Sequence, residues 1–325
     1  MKDVVGSRAR RALLVIAAGA LAIGVAPGRQ AQGISQRPCV PTLKHLEHFG
    51  FALVDCGFDD PLDGVVKTNY ADEVAPFSNI AHLCVFQPTD SIGGRLATFA
   101  ALQMRAILSV ESLFFNRVPD FSSPSGSRLT LRGDYLARWQ QFLAVNGSVI
   151  DEDTVAALYL ADEPFWNNCA AADLQAVADL LEASRPGIPT LIVEAAPALA
   201  SLVVPASVDW IGFDHYGVLD PGSDATYLGE LDLLKSRRSS AHQRVLLIME
   251  AQWFPAYGIF GVTEDDLGAV ALNYYALGQS DPAVIGMIGY LWPGGFDAPD
   301  QKGARELPAS VQAVYAFLGH EIAGK

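Results

Sequence analysis

The chain has 325 residues, of which 50% are hydrophobic and 18% charged, with a formal net charge of -14. That composition supports a large buried core and excludes a disordered chain. No basic stripe exists to track a phosphate backbone, so nucleic acid is excluded as an expected partner.

The first 33 residues read as an export signal. Arg8, Arg10 and Arg11 form a positive leader, Leu13 to Ala26 is apolar, and Pro27-Gly28 breaks the run. The run is too short and too rich in Ala and Gly for a membrane span, so no stable membrane insertion is expected after cleavage. Cleavage is expected between residues 26 and 33, and Arg10-Arg11 is compatible with a twin-arginine route. Loss of residues 1–33 removes five basic residues and one acid and leaves a charge of -18. The expected mature protein, residues 34–325, is therefore secreted or periplasmic. Four cysteines remain: Cys39, Cys56, Cys84 and Cys169. An oxidising compartment allows three pairings of four cysteines, and the sequence does not choose among them. Their spacing lacks the C-x-x-C of a structural zinc site. Cys84 reads as a buried thiol within an apolar strand.

Residues 34–41 read as a linker and Thr42 to Phe49 as a short helix. Phe51 to Val54 is a strand closed by Asp55, and Ile80 to Phe86 is the second. Leu96 to Met104 has helical spacing, and Arg105 to Val110 is a strand closed by Glu111. Ser122 to Ser127 predicts a mobile loop over one end of the molecule, and Leu129 to Val145 has the helical period. Val155 to Leu160 is a fully apolar strand stopped by Asp162-Glu163-Pro164, since proline cannot donate to a ladder. A helix over 170–184 follows, then a strand to Val193 closed by Glu194. Val208 to Phe213 ends in Asp214-His215-Tyr216, and Leu228 to Ser239 is helical. Val245 to Met249 ends in Glu250, repeating the design of the fourth strand. Thr263 with Asp266 predicts a capping box opening the next helix. Ile285 to Leu291 ends in Trp292, and Leu307 to Leu318 is the last helix.

Eight strands alternating with crossovers imply a parallel sheet, and units of this size match a single-domain α/β (β/α)₈ TIM barrel. An open doubly wound sheet would want a glycine-rich phosphate turn after its first strand. Asp55-Cys56-Gly57-Phe58-Asp59-Asp60 is acidic and would repel a pyrophosphate. The acids instead gather at the C-terminal strand ends, where barrels of this kind carry chemistry. Two strand-end carboxylates suit glycoside hydrolysis. One, protonated, donates to the leaving oxygen, and the other, ionised, attacks the sugar or activates water.

On these residues the chain resembles clan A of the glycoside hydrolases, the 4/7 superfamily of retaining (β/α)₈-barrel enzymes. The resemblance rests on Asp162-Glu163-Pro164 closing strand four and Glu250 closing strand seven. It implies a retaining glycosidase acting on an oligo- or polysaccharide, with Glu163 as acid/base and Glu250 as nucleophile and no cofactor or metal. It also implies that Tyr216 hydrogen-bonds the nucleophile and that Trp292 floors the sugar site. The residue before the acid/base is usually Asn in the clan. Asp162 can only accept a hydrogen bond when ionised, which changes what it can recognise. His215, Trp166 and Trp253, together with Phe114 and Phe115, lie just past strand ends and are candidate sugar contacts.

Two other readings are open from sequence. Glu111, Asp162 and Glu194 close strands three, four and five and have the placement of a divalent-metal site. A barrel that binds glycans without cleaving them is the second, although it would have kept both Glu163 and Glu250.

Overall fold

The computed structural model describes residues 45–325. The expected export signal, the linker, Cys39 and the start of the helix expected over 42–49 lie outside the described residues. Among the described residues eight parallel strands close into a barrel. They are β1 (His48–Asp55), β2 (Ile80–Cys84), β3 (Arg105–Ser109), β6 (Val155–Asp162), β7 (Thr190–Ala195), β8 (Trp210–Asp214), β9 (Arg244–Glu250) and β10 (Val284–Tyr290). Two further strands, β4 (Phe115–Pro119) and β5 (Ser127–Leu131), form an antiparallel hairpin beside it. The helices are α1 (Ala71–Val74), α2 (Gly93–Ala101), α3 (Glu111–Phe114), α4 (Tyr135–Asn146), α5 (Ala171–Ser184), α6 (Ala225–Ser236), α7 (Asp266–Ser280) and α8 (Ala309–Ala323). None is long and apolar enough to cross a membrane.

Side chains alternate across each strand, so period two sorts the apolar residues into two cores. Ile80, Ile107, Ala157, Leu191, Val193, Leu246, Ile248 and Ile288 fill the barrel. Phe49, Phe51, Leu108, Leu158, Ile192, Phe213, Leu247 and Met287 face the helix layer. This sorting decides which strand-end residues can reach the barrel mouth.

Several sequence expectations are corrected. His48 and Phe49 belong to β1, because their backbone pairs with Gly286 and Met287 of β10 and the ladder overrides local helical preference. The stretch over 122–127 leads through the turn of the β4–β5 hairpin into β5, where Ser123, Ser125 and Ser127 hydrogen-bond one another. Leu129 and Leu131 lie in β5, so the helix expected from Leu129 starts only at Tyr135. Cys84 is not a thiol: it is joined to Cys56 across the ends of β1 and β2, while Cys169 is free and buried. Closing a loop with a sequence separation of 28 contributes about 3.5 kcal/mol in the chain-entropy account. The Thr263–Asp266 interaction forms, with the Thr263 N–H and hydroxyl both donating to Asp266 Oδ2 at 2.7 Å.

The seam between β10 and the β1 loop is closed by one arginine. Arg305 donates to both oxygens of Glu73 at 3.0 Å, to Asp60 at 3.3 Å and to Asp63 at 2.5 Å. Its guanidinium lies 4.9 Å from the Tyr70 ring centre. Asp60 also accepts from Gly294 N–H, and Glu73 from the Trp292 indole.

Candidate active site

Leu158 pairs with Thr190 and Tyr159 with Leu191, but Ala161 pairs with Ile192 and Asp162 with Val193. One extra residue, Leu160, is therefore inserted in β6, which is a β-bulge. Val193 faces the barrel interior. Without the bulge its partner would be Ala161, and Asp162 would turn to the helix side. With it, Asp162 faces inward and accepts from the Tyr159 hydroxyl at 2.5 Å. Its N–H donates to Glu111 Oε2 at 2.8 Å, and Glu111 Oε1 accepts from Arg117 at 3.2 Å.

Glu163 has a φ of 51°, in the left-handed region. A non-glycine residue held there costs about 1–3 kcal/mol and persists only where its surroundings over-determine it. Two fully buried polar side chains do so. Asn167 donates to the carbonyls of Asp162 and Glu163 at 3.3 and 2.8 Å. Glu194 accepts the N–H groups of Phe165, Trp166 and Ala195 at 2.7, 3.0 and 3.0 Å. Burial pushes Glu194 up to about 8 against the pull of those three donors, and the Glu163 charge adds to the rise.

Asp214 follows Trp210 and Gly212 on the inward face of β8. Burial, then the carboxylates of Glu163, Asp162 and Glu194, hold it well above the usual carboxylate range. The mouth thus brings Asp162, Glu163 and Asp214 into one electrostatic group. Tyr216 stacks on Tyr290, with ring centres 5.1 Å apart. The Tyr290 hydroxyl donates to Asp297 at 2.8 Å.

Glu250 shares the inward face of β9 with Leu246 and Ile248, and is 1% exposed. Its Oε2 accepts from Gly217 N–H at 2.5 Å and its Oε1 from the Tyr257 hydroxyl at 3.3 Å. Gly217 has a φ of 81°, a conformation that favours glycine and turns its N–H towards Glu250. Burial pushes Glu250 up to about 7, opposed by the Gly217, Gln252 and Tyr257 hydrogen bonds. Gln252 continues to Gln301 and Asp297, so a polar chain runs from Glu250 towards Tyr290.

Other expected contacts are placed elsewhere. The Tyr216 hydroxyl is 3.5 Å from Asp214 Oδ2, and the phenol that reaches Glu250 is that of Tyr257. Trp292 is 3% exposed and packs on Phe51 and Phe77 under the helix layer, so it cannot floor a sugar site. Alternation stops with β10 at Tyr290, and Trp292 leaves for the outer core. His215 continues the outward phase of Phe213 and meets Glu230 of α6 at 2.6 Å. Trp253 and Trp166 are part-exposed in loops after β9 and β6. The Trp253 indole donates to the Val262 carbonyl at 3.2 Å, and the Trp166 carbonyl accepts from Ser123 Oγ at 2.7 Å. Phe114 and Phe115 are buried in the outer core. Asp55 is tied to Arg95 at 2.7 Å.

Glu111, Asp162 and Glu194 do not assemble as a cation site. Glu194 continues the outward phase of Ile192 and is spent on backbone N–H groups, while Glu111 is spent on Arg117 and Asp162 N–H. Among the described residues, the set of His, Cys, Asp or Glu whose ligand atoms lie within 4.8 Å of one another is Cys56, His82 and Cys84. Two of these are consumed by the disulfide. Their neighbour His82 accepts the Leu53 N–H at Nδ1, and burial holds it near 4, hence neutral. Tyr257, Tyr290 and Asn167 were not singled out from sequence. Tyr290 could have been, as the last inward position of its strand. Tyr257 sits in a short 3₁₀ segment, Pro255–Phe260, with no pattern to mark it.

This architecture, a closed parallel barrel with carboxylates gathered at one mouth, is the (β/α)₈ barrel. Among solved structures it is similar to the GH113 β-mannanase AaManA from Alicyclobacillus acidocaldarius, with 12% identity and a TM-score of 0.55 over 86% of this chain and 98% of that one. It is also similar to a thermostable mutant of the xylanase Xyn10A from Cellvibrio japonicus, with 11% identity and a TM-score of 0.54 over 86% and 98% of the two chains. Xylanase 10B from Thermotoga maritima gives 12% identity and a TM-score of 0.52 over 86% and 97%. At these identities the likeness is one of fold. No family model matches the chain, and no curated protein matches it by sequence.

Proposed function

We propose that the protein is a retaining glycoside hydrolase acting on an oligo- or polysaccharide, with Glu250 as nucleophile and Glu163 as acid/base. The observation that carries this reading is the contrast between the two acids. Glu250 is locked at the barrel mouth by two donors that stabilise its anion. Glu163 is held in a costly left-handed backbone conformation at the end of β6, in the same electrostatic group as Asp162 and Asp214. The fold neighbours named as mannanase and xylanases support the same reading. Glu250 attacks the anomeric carbon while Glu163 protonates the leaving oxygen. Water then opens the glycosyl-enzyme with Glu163 acting as base. Asp162, Tyr216 and Tyr290 border the space where the sugar would sit, with Trp166 and Trp253 in the flanking loops. A panel of aryl glycosides and β-linked polysaccharides tests the activity. Failure to turn over any of them would leave a glycan-binding barrel.

The Tyr257 hydroxyl lowers the pKa of Glu250, and only ionised Glu250 can attack. The acidic limb of kcat/KM is therefore expected near pH 7, and Tyr257→Phe should move it to higher pH. An unmoved limb would detach Tyr257 from Glu250.

Export of the mature chain, residues 34–325, belongs to the same proposal. The Arg8–Ala26 leader supports it, and the Cys56–Cys84 disulfide suits an oxidising compartment. N-terminal sequencing of exported protein should start between residues 27 and 34; an intact Met1 there would overturn export by cleavage.

A further inference from the structure

We propose that Glu194 and Asn167 are positioning residues that set the direction of the Glu163 carboxyl group, and that the β4–β5 hairpin braces them. The inference rests on the acid/base reading of Glu163. After Glu163 the chain must leave the left-handed conformation and turn over the barrel rim. Nothing in Glu163-Pro164-Phe165 favours that turn by itself, since neither glycine nor asparagine stands at the left-handed position. The turn is instead held from both sides. Glu194, 0% exposed, collects the N–H groups that follow it. Asn167, also 0% exposed, collects the carbonyls of Asp162 and Glu163. The Asn167 N–H closes the turn on the Glu163 carbonyl at 2.9 Å.

The orientation of Asn167 is fixed in turn. Ser127 of β5 donates to its side-chain oxygen at 2.6 Å, so its amide nitrogen must face the two carbonyls. Leu129 N–H donates to the Asn167 carbonyl at 2.8 Å, and Ser123 Oγ to the Trp166 carbonyl at 2.7 Å. With Ser125 N–H donating to the Trp166 carbonyl at 3.4 Å and Asn168 Nδ2 to Asp120 Oδ2 at 3.2 Å, five hydrogen bonds tie the hairpin to the loop after Glu163. None of Glu194, Asn167 and Ser127 needs to touch a sugar to act. Each acts through the direction of the proton that Glu163 delivers, where small misplacements are costly.

The leaving group separates this role from a merely structural one. An unactivated glycoside needs the proton in the first step, whereas a dinitrophenyl glycoside leaves without it. We compare kcat/KM for both substrate types in the wild type, Glu163→Gln, Glu194→Gln and Ser127→Ala. Glu163→Gln should lose roughly 10²-fold or more on the unactivated substrate and little on the activated one. Glu194→Gln presents an amide N–H to a backbone N–H, and should show the same selective loss, at least about tenfold. Ser127→Ala, which removes one brace only, should show it more weakly, with Ser127→Thr restoring it. Equal losses on both substrates, or no loss in Glu194→Gln and Ser127→Ala, would overturn the positioning role. If Glu194→Gln does not fold, the Ser127 pair decides alone. If Glu163→Gln itself lacks the selective loss, the acid/base reading fails, which is a separate result.

Discussion

Replacing Glu250 by glutamine should remove at least roughly 10³-fold of kcat on any substrate the enzyme turns over, while making the folded protein more stable above pH 7. Both effects follow from its environment. Glutamine fits the site, because its oxygen can accept the Gly217 N–H and the Tyr257 hydroxyl can turn to accept from its amide. It cannot form an ester with the sugar, so turnover stops. The stability gain follows from the folded state raising the pKa of Glu250 from 4.5 to about 7. A raised acid favours its protonated form, so the stability linked to this group is full below about pH 4.5 and is lost as pH rises through about 7. The loss amounts to about 3 kcal/mol, and glutamine has no charge to lose it by. Melting curves at pH 5 and pH 8 should show wild type and variant diverging at the higher pH. Parallel curves would mean that Glu250 is not desolvated. Glu250→Gly with azide should restore a product, with the anomeric configuration opposite to that of the wild-type product. Inversion by the wild type itself would exclude the retaining route.

The largest effect on folding is expected at Arg305. Its side chain is 16% exposed and that of Asp60 0%. Burial pushes Glu73 up, but Arg305, Lys67 and the Trp292 indole together hold it below the usual carboxylate range. Arg305→Met keeps much of the volume over Tyr70 and removes the cation shared by Asp60, Asp63 and Glu73, leaving Glu73 with Lys67. Breaking such a cluster costs about 3–5 kcal/mol, because the remaining charges stay desolvated. Thermal denaturation should show a fall in Tm on the order of 10 °C at pH 7. As pH falls towards the depressed range of Glu73 and Asp63, their charges are lost and the gap should narrow. A fall in Tm of under about 2 °C at pH 7 would show that water takes over from Arg305 in this cluster.

Apolar runs closed by acids made the eight barrel strands and the acidic mouth legible in the sequence. The same runs could not say which acid faces inward. Glu194 and Asp214 close neighbouring strands with similar sequences, yet Glu194 turns to the loops and Asp214 to the barrel. His215 and Trp292 carried the chemistry of sugar contacts but fall in the outward phase. The hairpin was hidden because Leu129, Leu131, Tyr135 and Leu136 fit a helical face as well as a strand followed by a helix. Its pairing partner, Phe115–Pro119, is polar at Asn116 and Arg117 and carries no strand pattern. Tyr257 reaches Glu250 through the tertiary course of the loop after β9, which local pattern does not encode.

The single extra residue at Leu160 has a consequence for anyone transplanting this site. Grafting Asp162 and Glu163 onto a regular strand of another barrel would deliver them rotated by half a period, with the first acid among the helices. The portable unit is therefore the segment from Tyr159 to Asn167, inserted residue included, together with an acceptor on the next strand to receive the Phe165 and Trp166 amides. Shortening that segment by one residue would turn Asp162 out of the mouth and leave Asp214 and Glu250 there without it.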